Sequence, residues 1–395
     1  MQEEKVLLPE LRFPEFEGEW VEKKLFEIAK IERGRFSPRP RNNPIYYNGE
    51  IPFVQTGDVV NSNGIIENYT QTLNQKGLKV SKLFPKGTIL ITIAANIGYA
   101  GVLAIDMACP DSLIGIKCKK NIFNIFLNYQ LELEQPKMDY LAVAAAQKNI
   151  NIEFLKPYKF IIADLKEQQK IANFLTAIDN RIQTLEKKET LLEQYKKGVM
   201  QKIFKQELRF KDDTSTTLTA SDEKAFPEWV ERMLGGLSKI KTGKLDANAM
   251  IQNGKYRFYT CAKYFYYIND YAFDTEALLV SGNGANVGYI HYFKGKFNAY
   301  QRTYILDSFE ENIFYIKYYL KKFLAARIDR EKKDGNTPYI VLSTLKDMLI
   351  KIPCLEEQTK IANFLSSIDK NIALVTKKIE HTKTYKKGLL QQMFV

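Results

Sequence analysis

The sequence predicts an α+β chain in which two pseudo-repeated mixed α/β units are separated by two long antiparallel helices that pair as a coiled coil. Three observations predict it. A 38-residue stretch occurs twice, a short aromatic opening segment occurs twice, and the residues between them alternate strand-like runs with turn residues.

The long repeat carries most of the weight. Residues 167–204 read EQQKIANFLTAIDNRIQTLEKKETLLEQYKKGVMQKIF and residues 357–394 read EQTKIANFLSSIDKNIALVTKKIEHTKTYKKGLLQQMF, 190 positions on without a gap and with 19 of 38 positions identical. In the first copy Ile171, Leu175, Ile178, Ile182, Leu185, Leu192, Val199 and Ile203 follow the three/four alternation of a helix with one apolar seam. The second keeps it at Ile361, Leu365, Ile368, Ile372 and Val375, then less regularly through Ile379, Leu389 and Met393. Such a helix is about 57 Å long at roughly 1.5 Å per residue, longer than one small domain, so its seam needs a partner along its length. A single copy would read as a dimerising coiled coil. Two copies in one chain favour burial of each seam against the other, at about 0.8 kcal/mol per buried methylene.

The remaining elements follow in chain order. Residues 1–155 form the first unit, 156–207 the first long helix, 208–223 a polar linker, 224–350 the second unit and 351–395 the second long helix. The first unit opens with Phe13-Pro14-Glu15 and Trp20, followed by the helix-like LFEIAKIERG; the second opens with Phe226-Pro227-Glu228-Trp229, followed by MLGGLSKIKTG. Trp20 matches Trp229 and Gly34 matches Gly243, both 209 apart. Next comes GRFSPRPR (residues 34–41), an extended, proline-broken basic segment whose counterpart, KIKTGKLDANAM, carries Lys239, Lys241 and Lys244. IPFVQTGDVV (51–60) and KYRFYTCAKYFYY (255–267) read as strands leading into polar turns; their aromatic and amide groups suit either a groove contact or a half-buried strand.

The units converge again at Ala95-Asn96-Ile97-Gly98-Tyr99 and Ala285-Asn286-Val287-Gly288-Tyr289, each after a β run. Ser281-Gly282-Asn283-Gly284 places a G-x-G after a strand, but its twin has no glycines and nothing helical follows, so a turn between strands is expected rather than a dinucleotide fingerprint. Residues 122–133 and 313–326 fit amphipathic helices, each leading to a small polar loop at 145–149 or 334–338. Residues 209–224, RFKDDTSTTLTASDEK, have the composition of a linker.

Composition narrows the partners. Over 395 residues Lys+Arg outnumber Asp+Glu 58 to 46, a net charge of +12 with a pI near 9.2, which favours a polyanion, nucleic acid ahead of an anionic membrane. Cys109, Cys118, Cys261 and Cys354 lack C-x-x-C spacing and only His291 and His381 accompany them, which argues against zinc and for reduced thiols in a cytoplasmic protein. The N-terminal MQEEKVLLPELRFPEF lacks a basic segment followed by an apolar core, so a secretion signal is not expected there. The uncharged run 87–105 is rich in β-branched residues and contains Thr88, Thr92 and Asn96, so a buried strand pair is expected and not a membrane span.

No phosphate loop, H-E-x-x-H, nucleophile elbow or metal-spaced carboxylate cluster is present, and Asn42-Asn43-Pro44-Ile45-Tyr46 lacks the second proline of an amino-methyltransferase tetrad. Two histidines leave little acid–base capacity near neutral pH. The chain reads as a recogniser. A self-sufficient DNA methyltransferase and a coiled-coil scaffold that binds no DNA are the alternatives.

The paired E-Q-x-K-I-A-x-F-L helices, the F-P-E…W segments, and GKYRFYTC (254–261) with Gln301-Arg302-Thr303-Tyr304 resemble the specificity subunit of type I restriction-modification systems over nearly the whole chain. That family commonly places proline before the helix motif, as at Ile352-Pro353; here the first copy has Ala163-Asp164, which affects the helix boundary. The resemblance implies two target recognition domains on double-stranded DNA, each reading half of a split, asymmetric sequence, with the helices setting the gap. It also implies modification subunits, two of them, that carry S-adenosylmethionine chemistry, and ATP-driven restriction subunits, with no cofactor in this chain. The expected DNA contacts are Arg33, Arg35, Arg39, Arg41, Gln55 and Asn61 in the first unit. In the second they are Lys241, Lys244, Lys255, Arg257, Tyr259, Asn283, Gln301 and Arg302. Each lysine reads more readily as a solvated surface charge than as a contact, and the Tyr, Gln and Arg choices equally suit ordered strands.

Overall fold

The computed structural model describes residues 7–94, 96–144, 149–211, 218–220, 226–331 and 338–395; the two polar loops at 145–148 and 334–337 and most of the Ser/Thr-rich stretch lie outside them. The chain divides into two compact units, Met1–Glu186 with Lys377–Val395, and Lys187–Thr376.

In the first unit a five-stranded sheet runs in the order Ala29–Arg33, Leu113–Cys118, Ile89–Thr92, Ala100–Leu103 and Ile65–Ile66. A second sheet has the order Gln71–Leu73, Tyr47–Phe53, Met107–Cys109 and Lys82–Phe84. Ile89, Ile91, Ile114 and Ile116 point to one face and meet Phe126, Leu127 and Leu131 of the helix Asn124–Ala144 in one core. The helix-like reading of 25–34 holds only for the turn Leu25–Ile28. Residues 29–33 form a strand instead, because Ile31 and Arg33 pair with Ile116 and Ile114 and the sheet overrides local helix preference. Likewise Tyr47–Phe53 is a strand, but Thr56–Val60 is a helical turn, started by the Gln55 backbone N–H donating to Asp58 Oδ2 at 2.8 Å.

The second unit has one six-stranded sheet in the order Lys239–Thr242, Thr303–Asp307, Phe273–Ser281, Ile290–Ala299, Tyr256–Tyr259 and Tyr266–Ile268. Its strands correspond to those of the first unit although the sequences between the repeats do not match. Where the first unit interrupts the chain between Ala100–Leu103 and Met107–Cys109, the second runs straight through as Ile290–Ala299. The parallel pairing of Phe53 with Ala108 recurs as Phe258 with Asn298. The stretches 96–99 and 285–289 both lie between antiparallel neighbours, so no dinucleotide-type helix follows either. The helix Ile313–Glu331 takes the place of Asn124–Ala144.

The long helices span Leu165–Phe204 and Leu355–Met393. Within the first unit, Ile171, Ala172 and Leu175 share a core with Leu389, Leu390, Met393 and Phe394, with Ile178 packed against it. Within the second, Ile361, Ala362, Leu365 and Ile368 share a core with Val199, Met200, Ile203 and Phe204, and Ile372 packs against that one. In both units the start of one helix lies beside the end of the other, which is antiparallel pairing. Ile182, Leu185 and Val375 are buried as well.

The repeated Glu-Gln at the head of each helix has a structural reason. Glu167, 1% exposed, accepts from Arg12 Nε at 2.7 Å and Trp20 Nε1 at 3.1 Å. Glu357, 0% exposed, accepts from Arg209 Nη2 at 2.8 Å and Trp229 Nε1 at 2.9 Å. Gln168 donates to the Ala163 carbonyl and accepts from Phe123 N; Gln358 does the same with Pro353 and Asn312. A carbonyl is all that Gln168 requires of the preceding loop, so alanine serves where the second copy has proline. Arg209 and Phe210, at the head of the stretch expected to be a linker, are buried in the strand Leu208–Phe210, paired with Leu218–Ala220. Glu207-Leu208-Arg209-Phe210 repeats Glu10-Leu11-Arg12-Phe13, and a buried carboxylate explains why an arginine stands in each.

Candidate nucleic-acid interface

Each unit presents a rim where strand ends and loops meet, and the two rims share one backbone plan. Ile93 N donates to the Ser112 carbonyl and Gly282 N to that of Arg302; Ile150 N donates to Ile93 O and Ile340 N to Gly282 O. Gly34 and Gly243 close the plan from the other side. A Cβ on Gly34 would lie 2.1 Å from Pro110 O, and one on Gly243 would lie 2.0 Å from Ala299 O. The duplicated glycine is therefore imposed by backbone approach.

The side chains on this plan differ. In the first unit Arg41 Nη2 pairs with Asp111 at 2.8 and 2.9 Å, and Arg33 Nε donates to the Asp111 carbonyl at 2.7 Å. Arg35 donates to Ser81 O at 2.9 Å and Arg39 to Pro38 O at 2.8 Å, so the four exposed arginines also organise their own loop. Arg41 and Gln55 come together on a cleft of about 600 Å³, walled by Phe36, Tyr47, Tyr69 and Gln71. Gln55 lines it, and its buried Nε2 has no hydrogen-bond partner. Asn61, exposed after the turn Thr56–Val60, is not among the cleft residues.

In the second unit Gln301 and Arg302, both exposed, line a polar hollow of about 270 Å³ with Gly282 and Tyr304, next to Asn283. Gln301 Nε2 donates to Asp246 Oδ1 at 2.8 Å, and its backbone N–H donates to Leu245, which brings the exposed Lys244 to the same rim. Arg257 lies over the rings of Phe265 (4.2 Å) and Phe293 (4.6 Å), and Lys255 over Tyr256. Lys241 is tied to Asp307 at 3.2 Å. Tyr259 is corrected: at 2% exposure it packs against Phe265, Phe293 and Phe297, and the aromatic strand buries it too deeply to touch a base.

Other basic residues are tied to a carboxylate of the protein. Glu32 lies between Lys82, Lys117 and Lys30 at 3.0, 3.0 and 3.3 Å, and the hydrogen bonds from Lys82 and Lys117 hold its carboxyl at about 2. Sequence reasoning missed Asp111 and Asp246, the carboxylates that orient Arg41 and Gln301. Both stand in turns beside basic segments. Burial holds the His291 imidazole below its usual range, with Nε2 against the Ala262 carbonyl. Among the described residues no cluster of His, Cys, Asp or Glu is placed to hold a metal, and no helix is long and apolar enough to cross a membrane.

One scaffold used twice, with differently equipped rims, defines a duplicated recognition protein. The model of the family described as type I restriction modification DNA specificity domain matches residues 17–194 and 227–383. The chain belongs to that family. It is 39% identical over 141 residues to the type I restriction enzyme EcoDI specificity subunit of Escherichia coli, an alignment covering 36% of this chain and 31% of that protein. It is 24% identical over 403 residues to the MjaIX specificity subunit of Methanocaldococcus jannaschii, covering 95% and 92%. The crystal structure of the S subunit from M. genitalium superposes with a TM-score of 0.68 at 18% identity, covering 98% of this chain and 99% of that one. A chain from a structure on complex assembly and conformational transition of the type I R-M system superposes at 0.53, with 16% identity and 95% and 96% coverage.

Proposed function

We propose that each unit reads one half of a bipartite, asymmetric DNA target, and that the paired helices set the gap between half-sites and dock two modification subunits. The observation that carries this reading is the shared rim backbone with unlike side chains: Arg41, Gln55 and Asp111 on one, Asn283, Gln301 and Arg302 on the other. Like backbones suit docking in the same way on a duplex, while unlike side chains suit different bases, hence a non-palindromic site. The names of the relatives, specificity subunits of type I restriction enzymes, support the same reading. In it the chain is non-catalytic and cytoplasmic. S-adenosylmethionine and ATP act on the modification and restriction subunits, not here. The test is methylation by the chain co-assembled with modification subunits, scored by sequencing the modified motif. Arg302→Ala is expected to relax one half-site at a cost of about 1–3 kcal/mol in discrimination and to leave the other half-site intact. Relaxation of both half-sites together would count against separate reading heads.

A further inference from the structure

The repeat builds the same side-chain node twice, and one copy is out of charge balance. In the first unit Lys386 Nζ lies 2.9 Å from Asp179 and 3.0 Å from Glu132, over the ring of Tyr129, whose hydroxyl donates to Asp179 at 2.6 Å. In the second unit Lys196 pairs with Asp369 and lies over Tyr318, whose hydroxyl donates to Asp369 at 2.7 Å. Three residues after each tyrosine the copies part: Glu132 in the first is Lys321 in the second. One residue before it, Asn128 becomes Lys317. The first node holds one ammonium and two carboxylates. In the second, Lys196 pairs with the carboxylate Asp369, and Lys317 and Lys321 stand one helical turn apart on the helix Ile313–Glu331, flanking the Tyr318 whose hydroxyl donates to Asp369.

Among the described residues, Lys196 and Asp369 bear on both Lys317 and Lys321, and the one carboxylate of these, Asp369, is already paired with Lys196. Partial burial first, and then the neighbouring lysines, hold both ammoniums below the usual lysine range, the sign of a site that gains by taking up negative charge. Lys317 is fixed over Tyr292 and Phe314, and Lys321 is exposed, so the cluster is ordered and still open to solvent. Compact ammoniums without a guanidinium fork suit a tetrahedral oxyanion better than a planar carboxylate.

We infer that Lys196, Lys317 and Lys321 form a phosphate-binding site in the second unit that the first unit lacks. Its phosphate comes from the DNA backbone or from free phosphate. Only the DNA source rests on the function proposed above.

The experiment has two arms. Calorimetric titration of the full chain with inorganic phosphate at fixed ionic strength is expected to saturate. Lys321→Glu, which copies the balanced first node and so preserves folding, is expected to weaken the binding at least tenfold, with Lys197→Glu as an unchanged control. In the second arm, DNA binding by the chain assembled with modification subunits is followed against salt. A slope of log K on log salt reduced by about 0.9 in Lys321→Glu marks a lost DNA phosphate contact. An unchanged slope beside saturable phosphate binding assigns the site to free phosphate. Absence of both effects overturns the site. A wild-type complex that fails to retain DNA overturns the DNA reading, and the phosphate titration then decides the site alone.

Discussion

At the scale of single residues, two buried carboxylates, Glu167 and Glu357, anchor the heads of the long helices. Glu357, fully buried, accepts from Arg209 and Trp229, so Glu357→Ala leaves a buried guanidinium without its counter-charge. The expected loss is about 3–5 kcal/mol, read as a lower midpoint in denaturant, with a smaller loss for Glu357→Gln. An unchanged midpoint would mean that the clasp contributes nothing. Glu32 gives the pH dependence. Its folded carboxyl titrates at about 2 against an ordinary 4.5. A depressed folded value means that its contribution is fully present above about 4.5 and is lost as pH falls toward about 2. Glu32→Gln is expected to flatten stability against pH in that window; an identical profile would contradict it. That residues 34–41 form an irregular basic segment was legible from proline and charge alone. Tyr259 was not, because a strand that alternates between core and surface does not reveal from one sequence which face is covered.

At the scale of elements, the long helices were legible because their repeat is ungapped and their seam periodic. The corresponding strands of the two sheets were not: backbone pairing preserves their order while side chains drift, and a break after Leu103 replaces one long strand with two short ones. Local propensity also misled at Ala29–Arg33, where the sheet outcompeted a helix. Leu175 and Leu365, both 0% exposed, are the seam positions whose truncation to alanine is expected to cost about 2–5 kcal/mol each, measurable by thermal unfolding. A change below about 1 kcal/mol would contradict their place in the core. Removing one heptad from both helices shortens them by about 10 Å at roughly 1.5 Å per residue. The tolerated gap between half-sites is then expected to shorten by about 3 base pairs at roughly 3.4 Å each. An unchanged gap would place the ruler elsewhere.

At the scale of the whole molecule, a duplication has kept its scaffold and diversified its rims. The conserved parts are those physics holds fixed: the Glu-Gln helix head, the Trp above it, and the glycine against a carbonyl. The free parts are loop side chains, where one rim uses arginine with a carboxylate and the other glutamine with arginine. The proposed function depends on the independence of the two rims. Its most direct test replaces residues 34–140 with those of a relative, assembles the chain with modification subunits, and sequences the methylated motif. The expected result is a new sequence in one half-site, with the other half-site and the gap unchanged. Change in both half-sites, or in neither, would contradict it.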